Sequence, residues 1–118
     1  MLINFEMITP DNNIEYKVFG TLDDNVLTFK DKSMTNTFIK IIFNKKKVTI
    51  MRTGNVTMEQ SFVLNEKING FFKNSEGIEL EIYSWTKELI VEENLIYIAY
   101  DCFISNDYQS TNKLIIKY

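Results

Sequence analysis

The stretch "VTIMRTGNVTMEQSF", residues 48–62, reads as two β-strands hinged at a glycine. Side chains alternate between the two faces of a strand with a period of two. Lys47 and Thr49 take the solvent face, so Val48, Ile50 and Arg52 share the inner one. On the following run Val56, Met58, Gln60 and Phe62 form the matching inner set, with Thr57, Glu59 and Ser61 outside. Gly54 sits at the reversal, where a positive φ or a bulge is expected, and Asn55 beside it strengthens the turn. Parity therefore puts a permanent cation, Arg52, on the face that points into the core.

The same alternation runs from end to end. Strands are expected at 2–9, 14–20, 26–31, 37–43, 47–53, 56–63, 68–73, 78–85, 95–104 and 111–118. Residues 86–91 either continue the eighth run or start a short strand of their own. Polar turns separate the runs, among them Asn44 to Lys47, Asn74 to Gly77 and Glu92 to Asn94, and a polar loop is expected over Ser105 to Ser110. No segment keeps a helical period. Nine to eleven short strands at this spacing define an all-β chain with a single domain over 1–118, an antiparallel sandwich or barrel. A barrel is favoured because closure removes exposed edges, and the first and last strands are both apolar enough to pair. Its interior would hold side chains or one small ligand.

Composition narrows the function. A chain of 118 residues that is 45% hydrophobic can build one core unaided. The net charge of −3 and a single basic cluster, Asn44 to Lys47, argue against nucleic-acid binding. There is no histidine, which removes Ser-His and Cys-His nucleophile schemes and the usual zinc and iron ligand sets, so no metal or other cofactor is expected. The one cysteine, Cys102, excludes an intrachain disulfide, and its apolar neighbours suit a buried, inert thiol. The opening "MLINFEMITPD" lacks a basic n-region, and no apolar run approaches the ~20 residues of a membrane span. The expectation is a cytoplasmic protein without a membrane partner.

A buried guanidinium needs a partner. Glu79 and Glu81 fall on the outer face by parity, which leaves Asp101, between Tyr100 and Cys102, as the nominated carboxylate. Gln60, Ser84 and the hydroxyls of Tyr16 and Tyr100 offer inward hydrogen bonds. In one reading Arg52 is structural, its stem packed on the apolar face and its tip reaching water or Asp101. In the other it waits at the inner wall for a carboxylate or phosphate head group, with apolar walls for the rest of a small amphipathic or apolar ligand. The candidate binding set is Arg52, Val48, Ile50, Met58, Gln60, Phe62, Tyr100 and Asp101. On the outside Tyr83 and Trp85 share a face and form a candidate interaction patch. The alternative to a carrier is therefore a filled barrel that uses this patch for a protein partner or a homodimer. No nucleophile–base pair or phosphate loop is visible, so a non-enzymatic role is expected.

The runs "VTIMRTGNVTMEQSFV", "EGIELEIYSWTKEL" and "LIYIAYDCFI" resemble the YwiB-like proteins of Firmicutes and related bacteria. The similarity extends from about residue 14 to the end and is most specific at Met51-Arg52-Thr53-Gly54, with Met58 and Phe62 following, and at Ile98-Ala99-Tyr100-Asp101. It implies a bacterial source and a calycin-type, lipocalin-like barrel, and supplies no catalytic residue. Family members carry a longer turn, with proline and tyrosine, where this chain has Asn74-Ser75-Glu76-Gly77.

Overall fold

A computed structural model describes all residues, 1–118. Ten strands make up the chain: β1 (Leu2–Ile8), β2 (Asn13–Asp23), β3 (Val26–Lys30), β4 (Thr37–Phe43), β5 (Val48–Gly54), β6 (Val56–Phe62), β7 (Lys67–Asn74), β8 (Glu79–Glu92), β9 (Leu95–Ile104) and β10 (Asp107–Lys117). Each pairs antiparallel with its neighbour in sequence, and β1 pairs with β10, so the sheet closes into a barrel. The closure is apolar, with Phe5 opposite Ile116 and Met7 opposite Leu114. No edge strand is left to be protected.

The strands follow from the alternation. In β4 every second residue is buried, Thr37, Ile39, Ile41 and Phe43, and those between are exposed. Tight turns use residues that tolerate a left-handed backbone: Asp24 and Asn25 (φ 48° and 62°), Asn94 and Ser105. Gly54 has φ 123°, and a Cβ there would collide with the Asn36 carbonyl, so the positive φ expected at the reversal is present.

One expectation is revised and one alternative is decided. Residues 105–110 are not a loop: only Ser105 and Asn106 turn the chain, and β10 begins at Asp107. This stretch reads as polar because it lies at an open rim, where both faces of the ladder meet water. Residues 86–91 continue β8, with a bulge that leaves Lys87 unpaired between Thr86 and Glu88. The extra residue resets the phase, so Ser84 and Thr86 point inward before the bulge and Leu89 and Val91 pack against the core after it.

The interior divides into two halves. One end is filled by side chains such as Leu27, Ile41, Val48, Ile96, Ile98, Leu114 and Ile116, all fully buried, with the rings of Phe43 and Tyr118 5.8 Å apart. The other end is different. Beyond the rings of Phe62 and Tyr100, whose centroids lie 4.7 Å apart, the packing gives way to a cavity.

Candidate functional site

The cavity has a volume of about 410 Å³ and opens at the end of the barrel reached by the last residues of β5 and the first of β6. Its walls combine Met7, Ile14, Met58, Ile82 and Cys102 with the polar side chains of Arg52, Gln60, Tyr100 and Asn112. Ser33 and Met34 reach it from the loop that joins β3 to β4.

Arg52 does lie inside, with 11% of its side chain exposed. Its partner is Asp31, not Asp101. Arg52 Nε donates to Asp31 Oδ2 at 3.2 Å, and the Asp31 side chain is wholly buried. The other carboxylate oxygen accepts from the Ser33 amide, at 2.9 Å, and from the Ser33 hydroxyl. Asp31 follows the last residue of β3 and continues the inward phase of Leu27 and Phe29. Its burial is therefore set by strand parity, and the hydrogen bonds remove the cost of an isolated charge. The two terminal nitrogens of the guanidinium donate no hydrogen bond within the chain.

Asp101 belongs to the outer face. Alternation along β9 turns Tyr100 and Cys102 inward and Asp101 outward, where Lys87 Nζ lies 3.2 Å away and Thr111 Oγ1 donates at 2.6 Å. It is withdrawn from the binding set. Val48, Ile50 and Phe62 point inward as parity requires, but they sit in the packed half and do not line the cavity. Arg52, Met58, Gln60 and Tyr100 do. Sequence reading missed Met7, Ile14, Met34, Ile82 and Asn112 as cavity residues, and left Cys102 as plain core. Parity alone marks most of these as inward; it does not say which level of the barrel is left open.

The polar wall is neutral apart from the ion pair. Gln60 Nε2 donates to Ser84 Oγ at 3.3 Å, and Asn112 Nδ2 donates to the Tyr100 hydroxyl at 3.4 Å. Burial pushes the Tyr100 phenol above its ordinary value, against the opposing effect of the Asn112 hydrogen bond. Tyr16 is raised too, first by burial and then by the adjacent Asp31 carboxylate. Its hydroxyl is buried without a hydrogen-bond partner, and its ring stacks on Phe5 at 5.1 Å. Burial also raises the Cys102 thiol, which opposes formation of a reactive thiolate. Asn112 Oδ1 is likewise buried and unpartnered.

On the outer surface Tyr83 is half-buried and Trp85 is 38% exposed. Lys67 Nζ stands 4.3 Å above the Phe103 ring and 5.2 Å from that of Tyr83. The chain's own lysine therefore already covers part of the nominated patch.

A closed ten-stranded antiparallel barrel, packed with side chains in one half and open in the other, is the class of protein that these features define. The chain belongs to the family described as "Domain of unknown function (DUF1934)", whose model matches residues 4–116. Among solved structures it is similar to the ywiB protein from Bacillus subtilis, with 19% identity and a TM-score of 0.68 over 98% of this chain and 89% of that one. The YwiB-like resemblance read from the sequence is therefore confirmed, and the shared property is the fold. A search of curated proteins returned no match.

Proposed function

We propose that this barrel is a non-enzymatic intracellular binding protein for a small amphipathic molecule with an acidic head group. The observation that carries the reading is the half-used guanidinium. Arg52 gives Nε to Asp31 and leaves its terminal N–H groups without a partner in the wall of a cavity of about 410 Å³. That volume falls within the range of small-molecule pockets. A carboxylate accepts a planar pair of N–H donors bidentately. The thioethers of Met7, Met34 and Met58 give the rest of the ligand an apolar, deformable wall. Small closed β-barrels such as lipocalins hold one small ligand in their interior, an analogy of architecture alone.

The alternative of a filled barrel with an outer docking patch has less in its favour. The interior is open at the Arg52 level, and Lys67 already occupies the aromatic faces around Tyr83. The test is isothermal titration with decanoic acid. Arg52→Gln alone would strand the buried Asp31 carboxylate, so the informative comparison is the double variant Asp31→Asn/Arg52→Gln. The wild type is expected to bind the acid, and the double variant to bind at least about tenfold more weakly. Equal affinity in the two proteins, or no binding to the folded wild type, would overturn the reading.

A further inference from the structure

The outside of the barrel carries one patch where apolar side chains and cations meet without acids. Leu2 pairs with Phe19 across β1 and β2, and Phe38 pairs with Lys30 on one side and Thr53 on the other. The register of β2 and β3 ends at Gly20 opposite Phe29, so the next residues, Phe19 and Lys30, stand level. Leu2, Phe19, Lys30 and Phe38 therefore form one row across four adjacent strands, all on the outer face by parity. The three apolar members are 50%, 79% and 52% exposed, and Phe19 is the most exposed large hydrophobic side chain of the chain. A single exposed apolar residue is ordinary. What marks this row is its charge. On the outer face Phe19 is flanked along the chain by Lys17 and Thr21, and Phe38 by Asn36 and Lys40. Lys17, Lys30 and Lys40 are exposed and none forms an ion pair. No carboxylate occupies any of these positions, although the chain as a whole carries a net charge of −3. Elsewhere on the outside the signs mix: Lys73 is opposite Glu79, and Trp85 stands between Lys67 and Asp101.

We propose that this face docks on the surface of an anionic lipid bilayer. Leu2, Phe19 and Phe38 enter the boundary between headgroups and acyl chains, and Lys17, Lys30 and Lys40 stay at the level of the lipid phosphates. The expectation of no membrane partner rests on the lack of a spanning run, which a peripheral contact does not need; on that point the proposal replaces it. Charge decides against the other occupants. A two-fold contact with a second copy would set lysines of one copy against lysines of the other. Single-stranded nucleic acid binds in a basic groove with stacked rings. This face is the convex outside of a closed barrel, and Leu2 offers no ring. The patch also continues from Lys30 into the loop before β4, whose Ser33 and Met34 line the cavity and whose Lys32 is exposed. A bilayer docked here lies beside the mouth of the barrel.

The test is co-sedimentation with vesicles of phosphatidylcholine alone or mixed equally with phosphatidylglycerol, at low and at high salt. The proteins are the wild type, Phe19→Thr/Phe38→Thr, which keeps strand-forming residues, and Lys17→Glu/Lys40→Glu. Circular dichroism establishes that each is folded. None of the four replaced residues lines the cavity, so the result is independent of whether the cavity binds an acid. The wild type is expected to partition onto the anionic vesicles at least about tenfold more strongly than onto the neutral ones, and less so at high salt. Each double variant is expected to lose about tenfold or more of that partition. A folded wild type that ignores anionic vesicles, or partition that both variants retain, would overturn the proposal. So would a wild type that sediments as a dimer without lipid and as a monomer once Phe19 and Phe38 are replaced, which would give the face to a second copy. A single-stranded oligonucleotide that binds through these residues while anionic vesicles do not would overturn it as well.

Discussion

Arg52 meets Asp31 through one nitrogen only. Nε donates to Oδ2 at 3.2 Å, from a side chain that is 11% exposed to one that is fully buried. Ser33 completes the carboxylate from the far side, and the terminal guanidinium nitrogens are left toward the cavity wall. One contact thereby serves two purposes. It anchors the loop between β3 and β4, and it fixes the orientation of the donors that a ligand would meet.

The pair should behave as a buried ion pair in denaturation. Removing one partner strands the other, so Asp31→Asn and Arg52→Gln are each expected to cost about 3–5 kcal/mol. The double variant should cost clearly less than the sum of the two. Urea unfolding of the four proteins checks this. Additive single effects would mean that the two side chains do not share their energy.

At the reversal after β5 the backbone geometry sets a second expectation. Gly54 has φ 123° with the Asn36 carbonyl against it, whereas Gly77 has φ 87° and open space around it. Gly54→Ala must both strain the backbone and displace a neighbouring strand end, for a loss of about 2–4 kcal/mol. Gly77→Ala carries only the conformational part, about 1 kcal/mol. Thermal unfolding of the two variants should rank them in that order.

Alkaline pH should weaken the fold through its buried phenols. Tyr16 and Tyr100 are both raised above the ordinary value of 10.0, burial being the main cause in each. Below that value both states keep the proton and the phenols contribute no pH dependence. Above it the unfolded chain ionises first and binds fewer protons, so stability falls as pH rises. Tyr16→Phe should remove part of this loss. Near neutral pH it should be neutral or slightly stabilising, because the hydroxyl has no hydrogen bond to lose. Urea midpoints measured from pH 7 to 11 test both statements.

Cys102 offers a direct report on the cavity. Its thiol lines the cavity and is held above its ordinary value by burial. Reaction with an aromatic disulfide reagent at pH 8 should therefore be slower than for a free thiol, and saturating decanoic acid should slow it further. A rate unaffected by the acid would mean that the acid does not enter beside Cys102.

Most of the fold was legible because the strands obey one period. Ile50, Arg52, Gln60 and Phe62 all point inward as their parity requires, and the apolar first and last strands do close the barrel. The site was only half legible. Asp31 stands in phase with Leu27 and Phe29, so one further step of the alternation reaches it; the polar run that follows disguised it as the start of a loop. Asp101 misled because the run from Leu95 to Ile104 is apolar on both faces, so hydropathy gave no sign of which face was the inner one. Asn112 was hidden for a third reason. Its strand is polar up to that residue, and only the pairing with Tyr100 shows that it faces inward.

The central claim concerns where an acid binds, and a crystal structure of the decanoic acid complex tests it most directly. The account predicts one acid in the barrel mouth, its carboxylate within hydrogen-bond distance of the Arg52 terminal nitrogens and its chain along Met7, Met34 and Met58. An acid seated on the outer face near Tyr83 and Trp85, or a cavity that stays free of it at saturating concentration, would contradict the account.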